Sequence, residues 1–235
     1  MRIPILLIIS IFITTLISCD DKDLGPDPLK LYEYSFDTDT EGWESDFADY
    51  PVGEEEFYEL DFSHSTLPEP LDTTDGALVI SGSNHSDDLF MLIKKQISGL
   101  EPNTEYEVYF DINLASDAAD SSVGVGGSPA TSVYLKAGVV DEEPGRIEDE
   151  GDYYRMDIDK GNQANEGEDM IVVGDMSNGT SEFEYNLISR GNEEPFLYTS
   201  DSTGTAWLLI GTDSGFEAIT RPYYNEINVL FERSE

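Results

Sequence analysis

The sequence of 235 residues is poor in the side chains on which most catalytic and metal sites depend. It has one cysteine, two histidines, and 12 Lys+Arg against 50 Asp+Glu, which gives a formal net charge of −38. A single cysteine excludes an internal disulfide and every zinc site built from several cysteines. Because nucleic-acid binding needs clustered basic side chains, the charge also argues against a nucleic-acid partner.

The charge leaves cations, neutral ligands such as glycans, and protein partners as open ligand classes. Hydrophobic residues make up 39% of the chain and aromatic residues 11%, and both are spread along its length. That apolar content is enough for a core, so we expect a folded acidic domain rather than a disordered chain. An adaptation of the source organism to salt explains the acidity equally well, and that explanation implies no ligand.

The amino terminus has the layout of a secretory signal. After Arg2, residues 3–18 are uncharged and mostly apolar, a run shorter than the roughly 20 residues that a membrane-spanning helix needs. Leu16-Ile17-Ser18-Cys19 resembles the lipobox of bacterial lipoproteins, in which the cysteine becomes the lipidated first residue of the mature chain. We therefore expect a signal peptide over residues 1–18 and a membrane anchor at Cys19. The alternative is a chance cysteine behind an ordinary signal peptide.

The residues directly after the cysteine indicate to which membrane the lipoprotein is sorted. Asp20-Asp21-Lys22-Asp23 resembles the acidic tag that sends some Bacteroidetes lipoproteins to the cell surface. In other Gram-negative groups, an Asp directly after the cysteine resembles a signal for retention in the inner membrane. We expect an outer-membrane or cell-surface lipoprotein, with residues 19–30 forming the lipidated cysteine and an acidic tether.

The rest of the chain shows the period-two alternation of β-strands and no sustained helical period. Over residues 104–115, apolar side chains alternate with charged or polar ones, the pattern of a half-buried strand. Phe183, Tyr185 and Leu187 alternate with polar residues in the same way and predict another strand. Short β-branched runs separated by Gly, Asn, Asp and Pro indicate about ten to twelve strands. The fold class predicted is all-β, a two-sheet β-sandwich of jelly-roll type with few or no helices. It forms one domain over residues 31–235, with a short helix as an option in 44–56.

Three short motifs carry a resemblance to known β-sandwich families. The segment 99–106, Gly-Leu-Glu-Pro-Asn-Thr-Glu-Tyr, resembles the tyrosine corner of fibronectin type III modules and the corresponding turn of galactose-binding-like and carbohydrate-binding jelly rolls. The segments 34–43 and 223–229 are similar to the opening and closing strands of those jelly rolls. This resemblance implies a non-catalytic, carbohydrate-binding domain. It also implies a structural calcium ion between the first and last strands, at Asp37 and Asn225 with Glu226 beside them; the alternative is a solvated acidic turn.

Exposed tyrosines are the candidate sugar-binding residues, because sugars stack their C–H faces on flat rings while polar groups bind the hydroxyls. Tyr109 lies on the polar face of its predicted strand, between Glu107 and Asp111. Tyr154 and Tyr224 each belong to a pair of adjacent tyrosines. If such a pair lies in a strand, one of its two rings must point away from the protein core. The alternative for each ring is an ordinary cross-strand contact.

The sequence does not favour catalysis. His64 and His85 are its only histidines, and Ser86 and Asp87 beside His85 do not form a triad, which needs groups from separate elements. We therefore expect a binding protein rather than an enzyme. Two alternatives stay open: a structural or adhesive surface protein without a glycan ligand, and a glycoside hydrolase that uses a pair of carboxylates. The oligomeric state is not determined by the sequence.

Overall fold

The computed structural model of the protein describes residues 28–234, which form sixteen β-strands and no helix. In this part of the chain, no segment is a helix long and apolar enough to cross a bilayer. Cys19 and the predicted signal peptide lie outside the described residues. The prediction of an all-β fold with few or no helices is confirmed.

The strands, numbered in chain order, belong to three antiparallel sheets. The eight-stranded sheet contains β1 (Leu29–Ser35), β4 (Asp61–Thr66), β5 (Gly76–Ser83), β7 (Glu105–Ser116), β12 (Asn186–Gly191), β13 (Phe196–Thr199), β15 (Ile219–Thr220) and β16 (Tyr223–Arg233). The five-stranded sheet contains β2 (Glu44–Ala48), β6 (Leu89–Ser98), β8 (Val133–Val140), β11 (Met170–Asp175) and β14 (Thr205–Ser214). A three-stranded sheet contains β3 (Tyr50–Pro51), β9 (Arg146–Glu148) and β10 (Tyr153–Met156).

The chain winds between the two large sheets as in a jelly roll. The order of strands is β12-β7-β16-β5-β15 in the eight-stranded sheet, with β1 on β16, β13 on β7 and β4 on β5. In the five-stranded sheet the order is β11-β8-β14-β6-β2. The consecutive strands β5, β6, β7 and β8 alternate between the two sheets, so neighbours in sequence face each other across the core.

The core lies between the two large sheets and follows the predicted alternation. In β7, the inward side chains Tyr106, Val108, Phe110, Ile112 and Leu114 are all buried, and they belong to one cluster with inward residues of the five-stranded sheet. Trp43 belongs to the same cluster and is 2% exposed. The predicted strand at 104–115 therefore has the orientation that its pattern indicates.

The turn before β7 is a tyrosine corner. The phenol oxygen of Tyr106 accepts a hydrogen bond of 2.8 Å from the backbone N–H of Glu101. Asn103 takes a positive φ of 52° in this turn, a backbone conformation that Asn adopts more readily than most side chains. The motif at 99–106 thus forms the contact that its resemblance implies.

Three local predictions differ from the structure. The segment 44–56 contains β2 and β3 rather than a helix, because both strands pair with distant partners, β6 and β10. The strand predicted around Phe183 begins only at Asn186, and Phe183 is 70% exposed in the preceding loop. The strand count exceeds the predicted ten to twelve because several strands are only two to four residues long.

Candidate functional site

The two large sheets differ in how accessible their outer faces are. On the five-stranded sheet, the outward side chains of Phe90, Leu209 and Met170 form a second buried cluster with Met156 of the three-stranded sheet. The connection between β10 and β11, residues 157–169 (the strap), lies over the same face. A side-chain carbon at Gly138 in β8 would overlap the carbonyl oxygen of Asp169. The face is therefore covered, and the eight-stranded sheet offers the broad open face.

A buried lysine connects the strap to the five-stranded sheet through hydrogen bonds. Lys136 of β8 is completely buried, and its ammonium donates hydrogen bonds to the carbonyl oxygens of Lys160 (2.7 Å) and Asn165 (3.0 Å) in the strap. The same ammonium lies 3.0 Å from Oδ2 of Asp213 in β14. Burial of Lys136 lowers its pKa, and the Asp213 carboxylate opposes that shift.

The same carboxylate also holds the strap from its other side. Asp213 Oδ2 lies 3.0 Å from the ammonium of Lys160 and accepts a 2.9 Å hydrogen bond from the backbone N–H of Gln163. Lys160 also lies 2.9 Å from Oδ2 of Asp49, which in turn pairs with Arg155 at 2.8 Å. Although burial disfavours the charge of Asp213, the two lysines hold its pKa below the ordinary value.

Asp88 completes this network as a protonated acid. Burial, then the charges of Asp213 and Asp49, raise the pKa of Asp88 to about 8. Within residues 28–234, Asp49, Asp88 and Asp213 are the one group of three carboxylate, imidazole or thiol side chains close enough to hold a metal ion. However, the Lys160 ammonium already contacts two of the three carboxylates, so a metal ion would compete with it.

This network was not predicted from the sequence, although the sequence contains a signal for it. Lys136 interrupts the apolar run 133–140, and Asp213 follows the apolar run 206–210 directly after a Gly and a Thr. A charge inside a strand that is otherwise buried indicates a buried partner. Which acid pairs with which base depends on the register of β8 with β14, where Lys136 is opposite Gly211 and Tyr134 is opposite Asp213.

On the open face, the structure places three predicted site residues together. Glu107, Tyr109 and Asp111 alternate with the buried residues of β7 and point outward. The Tyr109 hydroxyl donates a 3.2 Å hydrogen bond to Glu107 Oε2, and Asp111 Oδ1 accepts one of 2.9 Å from Ser189. Desolvation and the carboxylates of Glu107, Glu232 and Glu194 raise the pKa of Tyr109.

The surroundings of Tyr109 are set by a break in the neighbouring strand. Both β12 and β13 pair with β7, and Tyr109 faces the interval between them. The Asn192 side chain bridges this interval, since it accepts a hydrogen bond from Phe110 N (2.8 Å) and donates one to Val108 O (2.9 Å). On the other side of β7, Tyr109 is opposite Leu230 and Asp111 is opposite Asn228. The half-buried ring is thus bordered by carboxylates and amides.

The other two predicted ligand-binding tyrosines do not join this site. Tyr224 is completely buried in the core, so the prediction that its ring binds a ligand is wrong; Tyr223 is the member of this pair that reaches the surface. Tyr154 is half-buried in the three-stranded sheet, where its ring packs 5.3 Å from Tyr50 and beneath the Arg146 guanidinium at 4.2 Å. It lies with the covering of the five-stranded sheet and not on the face of Tyr109.

The predicted calcium ligands lie where the first and last strands meet. Phe36 N donates a 3.4 Å hydrogen bond to Asn225 O, so Asp37 and Asn225 come from adjoining segments. The Asn225 amide nitrogen donates to Gly76 O at 3.0 Å, and Glu226 is opposite Ser35 of β1. Calcium binding at Asp37, Asn225 and Glu226 stays a prediction.

Comparison with known proteins gives a fold likeness only. The chain matches no protein-family model and no curated protein. Among solved structures, it is similar to a carbohydrate-binding module, TmCBM27, described for mannan recognition (11% identity, 88% of this chain, 99% of that chain, TM-score 0.40). It is also similar to TmCBM61 in complex with β-1,4-galactotriose (9% identity, 83% of this chain, 92% of that chain, TM-score 0.39).

A further similar structure is the enzymatically active domain of tailspike protein 4 of bacteriophage CBA120, with 10% identity over 85% of this chain and a TM-score of 0.38. The chain spans only 20% of that tailspike chain. At these identities and TM-scores, the likeness assigns neither a family nor a ligand to the protein.

Proposed function

We propose that this chain is an exported, lipid-anchored bacterial protein whose β-sandwich binds carbohydrate without catalysis. The observation that carries the proposal is the open face of the eight-stranded sheet, where Tyr109 lies between Glu107 and Asp111. A sugar ring laid on Tyr109 would make C–H contacts with the aromatic face. Its hydroxyls would donate to the two flanking carboxylates, which are strong acceptors.

The neighbouring strands supply further polar groups on the same face. Asn113 is opposite Ser189 of β12, and Asn228 of β16 is opposite Asp111. Amide and hydroxyl groups both donate and accept hydrogen bonds, as recognition of sugar hydroxyls requires. The ring of Tyr109 is held by its bond to Glu107, so little conformational entropy is lost on binding.

Binding without hydrolysis is favoured by the position of Asp88, the one carboxylic acid within residues 28–234 whose pKa is strongly raised. Asp88 has the protonation state of a general acid at neutral pH. The neighbouring carboxylate of Asp213 is completely buried and paired with two lysines. A substrate would have to displace the strap to reach this pair, so the pair is better suited to holding the strap than to cleaving a glycosidic bond.

A glycan array probed with the purified protein tests the proposal. Replacing Tyr109 with Ala should weaken binding about tenfold, the loss of an aromatic contact worth roughly 1.4 kcal/mol. Tyr109→Phe keeps the ring and should keep most of the affinity. Absence of binding to every glycan on the array would refute the proposal, and turnover of chromogenic glycosides would favour the hydrolase alternative instead.

One observation favours the second candidate, an adhesive surface protein. Leu31 and Leu197 lie on the same open face and are 55% and 63% exposed. Exposed leucines suit a protein contact better than a sugar contact. Adhesion that persists after enzymatic deglycosylation of the target surface, and that is lost in Leu31→Ser and Leu197→Ser but not in Tyr109→Ala, would support this candidate over glycan binding.

The anchor is tested separately from the ligand. Metabolic labelling with a fatty-acid probe should label the wild-type protein and leave Cys19→Ala unlabelled. Surface proteolysis of intact cells then distinguishes a cell-surface protein from one that is retained inside. Labelling of Cys19→Ala at the wild-type level would overturn the anchor and leave the binding proposal standing.

A further inference from the structure

A groove of about 250 Å³ lies on the open face of the eight-stranded sheet, at the end away from Tyr109. Its floor is made of small side chains on β4 and β5, namely Ser63, Ser65 and Ser81. Asp61 stands on one side, and Tyr223 and Arg221 on the other. Short hydroxyl side chains leave room above the sheet and can each donate and accept a hydrogen bond.

Strand register gives the groove a donor side and an acceptor side. Asp61 is opposite Ser81, and Val79 is opposite both Ser63 and Tyr223. Asp61 therefore lies on β4, which borders β5 on one side. Tyr223 lies on β16, which borders β5 on the other side, and Arg221 comes two residues before it. Two inter-strand spacings separate the two walls by roughly 10 Å.

Arg221 is the unusual member of this groove. The chain has 50 acidic and only 12 basic residues, and six of the basic ones form ion pairs within 4.0 Å in the described chain. Arg221 is exposed, and over residues 28–234 its guanidinium forms no ion pair at that distance and no hydrogen bond. The positive charge of Arg221 opposes the raised pKa of Asp117. Because no side chain in the described chain binds the guanidinium directly, its planar donors are available to a ligand.

Tyr223 provides a ring in a fixed position. The ring is half-buried, and the edge-to-face contact with Tyr185 has a centroid distance of 5.2 Å and an interplanar angle of 81°. Both rings pack against the small buried cluster that contains Ala77 and Ala115. An aromatic side chain held in this way loses little freedom when a ligand stacks on it.

From this juxtaposition we propose a second carbohydrate site, in which Tyr223 stacks on a sugar ring, Arg221 donates to its oxygens and Asp61 accepts from its hydroxyls. The inference rests on the proposed function and extends it to a separate place on the same face. Tyr109 and the residue opposite Tyr223, Ala115, are six positions apart along β7, or roughly 20 Å. One sugar ring cannot contact both tyrosines.

The charges of the groove favour neutral sugars over anionic ones. Glu59 and Asp61 give the groove two carboxylates against the single Arg221, and the whole chain has a net charge of −38. A uronate or sulfated sugar would be repelled by this field, and the repulsion would weaken its association. Hydroxyl-rich neutral sugars suffer no such repulsion and can use both walls of the groove.

Isothermal titration of the full-length protein tests the second site. The probes are neutral gluco-, manno- and galacto-oligosaccharides, with oligogalacturonate as the anionic comparison. Arg221→Gln, at an exposed position, should weaken one class of sites about tenfold, as expected for loss of a charged hydrogen bond. Tyr223→Ala should do the same, whereas Tyr223→Phe should retain binding and so controls for misfolding. Tyr109→Ala should leave this class of sites unchanged.

The outcomes separate the inference from the proposed function. Two classes of sites, one lost in Tyr109→Ala and one in Arg221→Gln, support the second site. Binding of neutral sugars that is unchanged in Arg221→Gln and Tyr223→Ala would overturn the second site and leave the proposed function intact. Preference for oligogalacturonate over the neutral oligosaccharides would overturn the assignment of the groove to neutral sugars. If no probe binds and the glycan array is also negative, both the inference and the proposed function fall.

Discussion

The ammonium of Lys136 and the carboxylate of Asp213 lie 3.0 Å apart, and neither side chain has any exposed surface. Lys136 comes from β8 and Asp213 from the end of β14, and together they hold the strap through its backbone carbonyl and amide groups. Removal of one partner from a buried pair leaves an uncompensated charge, which is far more costly than loss of a surface pair.

We therefore expect Asp213→Asn to destabilise the protein by about 3–5 kcal/mol. For a domain of this size, the corresponding fall in melting temperature is on the order of 10 °C. Thermal unfolding followed by circular dichroism measures it. Glu33→Gln is the matched control, since it also removes one negative charge, but from an exposed position on β1. Equal melting temperatures for the two variants would contradict the assigned role of Asp213.

Because of Asp88, we expect the free energy of unfolding to depend on pH in an unusual way. The pKa of its carboxyl is raised to about 8 in the folded protein, whereas an unfolded Asp titrates near 4. The folded state then binds one more proton than the unfolded state between these values, so the free energy of unfolding falls as pH rises from about 4 to about 8. Urea unfolding at pH 6 to 9 should show this fall, since ordinary carboxylates are already ionised there.

Asp88→Asn is the control for this pH effect. The amide cannot lose a proton, so the variant should show a flatter profile and exceed the wild type in stability at pH 9. All other titratable side chains are the same in both proteins, so the comparison isolates the contribution of Asp88. Parallel profiles for the two proteins would show that Asp88 does not titrate in this range.

The tyrosine corner gives a smaller prediction. Tyr106→Phe removes the hydroxyl that accepts the 2.8 Å hydrogen bond from Glu101 N, in a side chain that is only 1% exposed. We expect a loss of about 1 kcal/mol, the usual value for one neutral hydrogen bond. Tyr109→Phe removes a hydroxyl on the open face and should change the free energy of unfolding by much less. A similar loss in both variants would argue against a special role for the corner.

Substitution of Lys160 should allow a metal ion to bind at the acidic trio. Its ammonium contacts Asp49 and Asp213, two members of the acidic trio that is close enough to hold a metal. Replacement of Lys160 with Met removes the competing cation, so calcium should raise the melting temperature of the variant more than that of the wild type. Magnesium at the same ionic strength is the control for screening. An equal response of both proteins to calcium would mean that the trio does not accept the ion.

The sequence predicted the fold class because alternation and burial are local properties of a strand. The pattern of β7 was visible over residues 104–115, and each inward side chain of that strand is buried. The outward position of Tyr109 follows from the same alternation. For Tyr224, alternation required only that one of two adjacent rings face the core, and the packing of β16 against β5 and β7 decided which one.

What the sequence alone determined is the all-β class, the turn at Tyr106, the outward face of β7 and the excess of acidic charge. The first three are set by neighbours one to five residues apart along the chain, and the charge is set by composition alone. Only the tertiary structure decided that Lys136 meets Asp213, that the strap covers the five-stranded sheet and that Arg221 and Asp61 share a groove. Each of these contacts joins residues from separate strands or loops, and their distances depend on strand register and sheet packing, which no local pattern encodes.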